Sequence, residues 1–305
     1  MVGAKVKIAS LVILVVVVLS AGFLIASKPA EPEAQLPMTV TDDLGRKVTI
    51  SRNVERIISL APTNTEILYS LGLGDKVIGV TTYCDYPPEA KLKEKVGEFS
   101  TINIEKVVAL KPDLVLSTGG EQEGFVRQLE GFGVTVLALY PEDLDGIMKN
   151  IMMVGEVAGA KDAAKRLTEQ MEQRINVVAN IVSKSGRPKV FYMVWDEPLM
   201  TAGQGTFPDS LITLAGGTNL GAGAGESWPI YSLETLVAQD PDVIVLATHG
   251  KSAESLKSLG GWNTMTAVKN GKVYLIDSNV ASRSGPRIVD ALENMARYIH
   301  PELFK

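Results

Sequence analysis

The chain has 305 residues, 46% hydrophobic and 21% charged, with a formal charge of −5. That length allows two domains with a sizeable core, and that charge, with no Lys/Arg stripe interleaved with aromatics, argues against a nucleic-acid partner. The one cysteine, Cys84, excludes an internal disulfide and CxxC zinc sites, and the two histidines, His249 and His300, lack metal-ligand spacing.

Lys5 and Lys7 precede an apolar run over residues 8–26, IASLVILVVVVLSAGFLIA. A helix of that length crosses most of a hydrocarbon core about 30 Å thick. Its positive flank stays in the cytoplasm, so the rest of the chain faces outward. Residues 1–26 therefore read as a membrane anchor, or as a signal segment if they are cut. Ala21, Ala26 and Ala30 make poor cleavage sites, and no cysteine follows the run to carry a lipid. The body is expected at the outer face of the membrane, or secreted or periplasmic after cleavage. Residues 27–37, SKPAEPEAQLP, form a spacer.

MTVTDDLGRKVTI predicts a hairpin turning near Gly45. RIISLAP is a short buried strand that leads into a helix, in which Glu66 supports the first turn, and then into strand VIGVT. Two further helix–strand pairs follow, and this alternation implies a parallel sheet covered by helices. From Asp143 to Ser183 apolar residues recur with helical period, ending in one long helix near Asp162 to Lys184. Strand KVFYMVW restarts the α/β pattern, which closes with helix PRIVDALENMARYI. The expected fold is α/β, with two Rossmann-like lobes of parallel-rich sheets joined by a single long rigid helix. Its parts are residues 38–142, an N-terminal lobe; residues 143–185, a helical connector; and residues 186–305, a C-terminal lobe.

One phrase is written twice. IEKVVALKPDLVLSTGG begins at Ile104, and LETLVAQDPDVIVLATHG begins at Leu233. In both, an alanine, a proline and an aspartate follow the glutamate at the same offsets, and an apolar run ends near glycine. The copies lie about one domain length apart, which points to two similar lobes. Glu105 and Glu234 each fall in a helix's first turn, where the dipole favours a carboxylate. One carboxylate per lobe would also give a two-point contact for basic residues of a partner.

Tyr83, Tyr86, Phe99, Trp195 and Trp228 fall after strands or in loops, where ligand crevices of α/β lobes are built. Arg283, in SRSGPR, is a candidate cation or donor. His249 ends the second repeat's strand and is a candidate metal or ligand contact, whereas His300 reads as a solvated surface group. Cys84 reads as an inert thiol, and GAGAGES, from Gly221 to Ser227, as a flexible loop. Neither a G-x-S-x-G elbow nor a phosphate loop is present, so an enzyme is not expected.

SLAPTNTEILYSLGLGDKVIGVTTYCDYPPEA, INIEKVVALKPDLVLS, the long helix, SLETLVAQDPDVIVL and SGPR follow in an order that closely resembles the solute-binding proteins of ABC importers for cobalamin, iron-siderophores and haem. The resemblance runs from about Val40 to the C-terminus. It implies a monomer without catalysis or resident cofactor that holds a ligand between its lobes. Glu105 and Glu234 match the glutamates by which family members dock on the importer's membrane-spanning subunits and, through them, reach the ATPase. TTYCDYPPEA is most similar to the cobalamin branch, where residues matching Tyr83 and Trp228 flank the corrin ring. The implied ligand is cobalamin or another corrinoid, within a ligand-contact set of Tyr83, Phe99, Trp195, Trp228 and Arg283. Phe99 stands where a tryptophan is common, and no aromatic lies near Thr118. A ferric siderophore is the alternative within the family; haem is disfavoured because no tyrosine or histidine is clearly placed as an axial ligand. Outside the family, the alternative is a membrane-tethered sensor.

Overall fold

The computed structural model describes residues 36–247 and 252–304. The apolar run of residues 8–26, most of the spacer and His249 lie outside them. Among the described residues, no helix is long and apolar enough to cross a membrane.

An antiparallel hairpin, β1 (Met38–Thr41) and β2 (Lys47–Ile50), opens the body. Next come β3 (Ile57–Ser59), α1 (Pro62–Ser70), β4 (Val77–Val80), β5 (Glu94–Lys95), and a short antiparallel pair, β6 (Gly97–Glu98) and β7 (Thr101–Ile102). The lobe is completed by α2 (Ile104–Ala109), β8 (Leu114–Ser117), α3 (Glu123–Gly131) and β9 (Val136–Ala138). Its sheet runs β5-β4-β3-β8-β9, and every neighbouring pair is parallel. Strands β8 and β9 are buried along their whole length. This explains why they read as unbroken apolar runs, since a parallel sheet is covered on both faces.

Two helices then follow. α4 (Leu144–Ala158) is capped by Asp143, whose side chain accepts from the Gly146 N–H, and it stops at Gly159 in the left-handed region. α5 (Lys161–Val182) has 22 residues and is about 33 Å long at 1.5 Å per residue. The two pack so closely at Gly155 that an added Cβ would stand 2.4 Å from that of Ala164.

The C-terminal lobe follows with β10 (Lys189–Asp196), β11 (Leu199–Thr201), α6 (Phe207–Leu214), β12 (Thr218–Asn219), α7 (Leu233–Gln239), β13 (Val243–Leu246), β14 (Val273–Leu275) and the closing helix α8 (Ile288–Ile299). Shorter helical turns join these elements. The sheet runs β11-β10-β13-β14; β12 runs parallel to the start of β10, and β11 runs antiparallel to its end.

The repeated phrase has a physical counterpart in each lobe. Asn103 caps α2 by accepting from the Lys106 N–H, and Ser232 caps α7 by accepting from that of Thr235. Six residues past each glutamate the chain enters the left-handed region, at Lys111 (φ 48°) and Asp240 (φ 46°). Two residues later an aspartate ties down the neighbouring strand. Asp113 Oδ2 accepts from the Glu55 and Arg56 N–H groups at 2.9 Å, and Asp242 Oδ2 from the Lys189 N–H at 2.7 Å. The phrase is thus a unit that caps a helix, reverses the chain and fixes the register of two parallel strands.

The lobes are not separate bodies. Residues Ala34–Lys305 form one compact unit, and one apolar core runs through both sheets. It takes Ile57 and Leu116 from the first lobe, Ile151 and Val154 from α4, Met171 and Val178 from α5, and Val190, Tyr192 and Leu292 from the second. Arg174 of α5 donates to Glu293 at 2.8 Å and to Asp290 at 2.6 Å, both on α8. That bond from Arg174 holds the Glu293 carboxyl below its ordinary range.

Two expectations change here. His300 is buried rather than solvated, because its Nε2 lies 3.3 Å from both the Gly216 carbonyl and the Ser185 hydroxyl, against the end of α5. Glu66 does not serve the first turn of α1, and its side chain is only 2% exposed. Its carboxylate accepts from Arg287 Nε at 2.9 Å and Nη2 at 2.6 Å, and from Arg283 Nη1 at 3.0 Å. Arg283 Nη1 also donates to Asp85 at 2.8 Å, and the Arg287 guanidinium lies 3.9 Å from the centre of the Tyr86 ring. First-lobe residues Glu66, Asp85 and Tyr86 thereby hold two arginines of the second.

Removing one member of a buried ion cluster strands the others. Glu66→Gln should cost about 3 kcal/mol of unfolding free energy, the low end of the range because Arg283 and Arg287 keep 13% and 20% of their side-chain surface exposed. Urea denaturation at neutral pH checks this, and a loss under about 0.5 kcal/mol would reduce the cluster to the weight of a surface salt bridge.

Candidate functional site: an aromatic cleft between the lobes

Parallel strands leave their C-terminal ends on one edge of the sheet, and the loops that follow build the crevice there. In this chain β3 leads to Ala61–Thr63, β4 to Tyr83, β8 to Thr118–Glu121, and β9 to Leu139–Glu142. All of these line a cleft of about 870 Å³. The opposite wall comes from Gly205–Phe207, Ser227, Trp228 and Ser282–Ser284 of the second lobe.

Of the residues singled out in the sequence, Tyr83 and Phe99 lie on the first wall, and Trp228 and Arg283 on the second. Tyr83 is 56% and Trp228 47% exposed, so each offers a ring face to whatever enters. Arg283 is more committed: besides Glu66 and Asp85 it donates to Asn279 at 3.0 Å. Burial would lower its pKa, but the two carboxylates outweigh that and raise it. In Asp85, likewise, burial is overcome by the Arg283 bond and charge, and its pKa falls.

Trp195 is not among the residues lining the cleft. It lies opposite Met200 in the β10–β11 hairpin, and its indole N–H donates to the Glu197 carbonyl at 2.9 Å. Glu105 and Glu234 stand exposed in the first turns of α2 and α7, and neither carboxylate has a partner among the described residues. His249 lies outside the described residues, and among those residues no cluster of three or more His, Cys, Asp or Glu could hold a metal ion. Cys84 is buried with its sulfur 3.2 Å from the Thr81 hydroxyl.

Sequence reasoning missed two parts of this site. Tyr140 supplies the aromatic absent near Thr118. Its ring lies over Gly119, where an added Cβ would come within 2.8 Å of it, and its N–H donates to Asp43 at 2.7 Å. Its position just beyond strand β9 was the available signal. Gln122, fully buried, accepts from the Ser117 hydroxyl and the Thr118 N–H at 3.0 Å and donates to the Leu60 and Phe99 carbonyls at 2.9 Å. One amide thus fixes three segments of the first wall, and no sequence pattern marks it. GAGAGES is not a free loop. Residues Leu220–Ala224 form a 3₁₀ turn, and Gly203 approaches so closely that an added Cβ would overlap the Glu226 carbonyl at 1.8 Å.

Rings, the committed Arg283 and two glutamates, Glu121 and Glu142, line the cleft. The family described as periplasmic binding protein matches residues 57–280. An uncharacterized ABC transporter substrate-binding lipoprotein, YvrC, of Bacillus subtilis (strain 168) is 37% identical over 287 residues, covering 92% of this chain and 90% of that protein. Among solved structures, the periplasmic vitamin B12 binding protein BtuF of Vibrio cholerae shares 31% identity with a TM-score of 0.71, covering 83% of this chain and 98% of that one. The periplasmic heme-binding protein RhuT from Roseiflexus sp. RS-1 shares 27% with a TM-score of 0.73, covering 82% and 100% respectively. The chain therefore belongs to the periplasmic binding protein family, as a solute-binding protein of the ABC importer class and not an enzyme.

Proposed function

We propose that this protein captures a corrinoid outside the cytoplasm, in the cleft between its lobes, and delivers it to an ABC permease through Glu105 and Glu234. The observation that carries the reading is the pairing of exposed rings across a large cleft, Tyr83 on one wall and Trp228 on the other. A volume of about 870 Å³ lies toward the upper end for ligand pockets, roughly 300–1,000 Å³. Rings on both sides favour a broad, flat, conjugated ligand. The vitamin B12 binding relative supports the same choice. Haem is the second reading, favoured by Tyr83 and Tyr140, either of which could offer a phenolate to iron, and by the heme-binding relative. A ferric siderophore stays as the third ligand class.

The identity of the ligand is read by titrating the tryptophan fluorescence of the full chain in detergent with cobalamin, cobinamide, haem and a ferric hydroxamate siderophore, corrected for ligand absorption. Saturable quenching by a corrinoid at submicromolar concentration is expected, and Trp228→Ala should weaken that affinity about tenfold. Response to haem or siderophore alone would move the protein to that substrate class, and silence toward all four would favour a tethered sensor.

Docking is read separately. The double substitution Glu105→Ala, Glu234→Ala should abolish uptake while leaving ligand affinity unchanged, because both carboxylates are exposed, without a partner among the described residues, and outside the cleft lining. Uptake that survives would remove the docking role from them.

A further inference from the structure

Trp195 and its neighbours form a surface that the cleft does not use. Residues 227–231 run antiparallel to residues 199–203: the Tyr231 N–H donates to the Leu199 carbonyl, that of Thr201 to Pro229, and that of Gly203 to Ser227. In this register Met200 faces Ile230 on one side and Trp195 on the other. Side chains directly opposite in a sheet share a face, and the face alternates along each strand. Leu199 and Tyr231 point inward to the apolar core. Met200, Ile230 and Trp195 therefore share the outward face, continuous with Trp228 at the mouth of the cleft. Ile230 is 71% and Trp195 54% exposed.

Isolated exposed apolar residues need no explanation, but two exposed ones flanking half-buried Met200 beside a binding site do. None of the three lines the cleft. Ile230 stands four residues before Glu234. The first lobe has a matching feature. Leu92, 87% exposed, lies two residues before Glu94, whose carboxylate pairs with Lys106, the neighbour of Glu105.

We infer that the Trp195–Met200–Ile230 row, with Leu92 on the other lobe, is an apolar landing surface for the outer face of the importer's membrane subunit. Each lobe then offers an exposed carboxylate beside an exposed aliphatic side chain. The complementary partner is a surface on which a basic residue stands next to an apolar loop. The carboxylates set orientation and encounter rate, and the desolvated apolar contacts hold the complex. This inference rests on the importer reading above, and it explains why Trp195 is exposed without belonging to the ligand cleft.

The test measures binding of the full chain to its cognate permease–ATPase complex in lipid nanodiscs. Binding is compared for the unsubstituted chain, Ile230→Ser, Trp195→Ser, Leu92→Ser and the Glu105→Ala, Glu234→Ala double variant. Affinity for cobalamin, haem and a ferric hydroxamate siderophore is measured alongside, using whichever of these the unsubstituted chain binds. The exposure of the three apolar side chains keeps these substitutions compatible with folding. The expected result is importer affinity reduced about tenfold or more in Ile230→Ser and Trp195→Ser, with small-molecule affinity within about twofold of the unsubstituted chain. Unchanged importer affinity in both would overturn the inference, as would weakened small-molecule binding, which would make the row part of the cleft wall. If the glutamate variant keeps its importer affinity while Ile230→Ser loses it, the docking role of the carboxylates fails and the apolar surface stands.

Discussion

The grip of Glu66 on Arg283 and Arg287 is the constraint on which the cleft depends. A carboxylate 2% exposed on α1 of one lobe holds two guanidinium groups from the segment that opens the last helix of the other. Burying those charges is costly, and the cost is offset only while all three stay in register. The shared core does the rest. α4 and α5 meet with no room for a side chain at Gly155, and α5 is pinned to α8 by Arg174. Lobes joined in this way are expected to keep one geometry.

Fixed lobes decide what kind of binder this is. A hinged protein can wrap a small ligand and exclude water by closing. A rigid one must present a preformed cleft, so its selectivity comes from wall chemistry and its affinity from pre-organisation. The walls are pre-organised accordingly. Gln122 joins the ends of β3 and β8 to the Phe99 segment, Asp43 holds the Tyr140 backbone, and the 227–231 ladder carries Trp228. Rigidity would also fix the spacing between Glu105 and Glu234, which the proposed two-point docking requires.

Most of the architecture was legible in the sequence because it rests on local signals. Strands buried on both faces read as unbroken apolar runs, the 3.6-residue period marked α4 and α5, and the repeated phrase coded for a cap, a left-handed turn and an aspartate clamp in each lobe. Contacts over long sequence separations were not legible. Glu66 looked like an ordinary first-turn carboxylate because its partners lie more than two hundred residues away, and His300 looked solvated because Gly216 and Ser185 lie 84 and 115 residues away. Tyr140 sat where a crevice aromatic belongs but followed a strand whose neighbours were not yet known. Trp195 had the right residue type at a strand end. The antiparallel return of β11 turned it onto another face.

The central claim is that the two lobes hold one spacing whether or not a ligand is bound. The most direct measurement places spin labels beside the two repeated glutamates, through Thr101→Cys and Thr235→Cys at exposed positions. Buried Cys84 should stay unlabelled. The distance distribution of the full chain is then recorded with and without saturating ligand. One narrow distribution, the same in both states to within about 2 Å, is the predicted result, since well-ordered backbone moves by only about 1 Å. A ligand-dependent shift of several ångströms, or a broad distribution that narrows on binding, would contradict it.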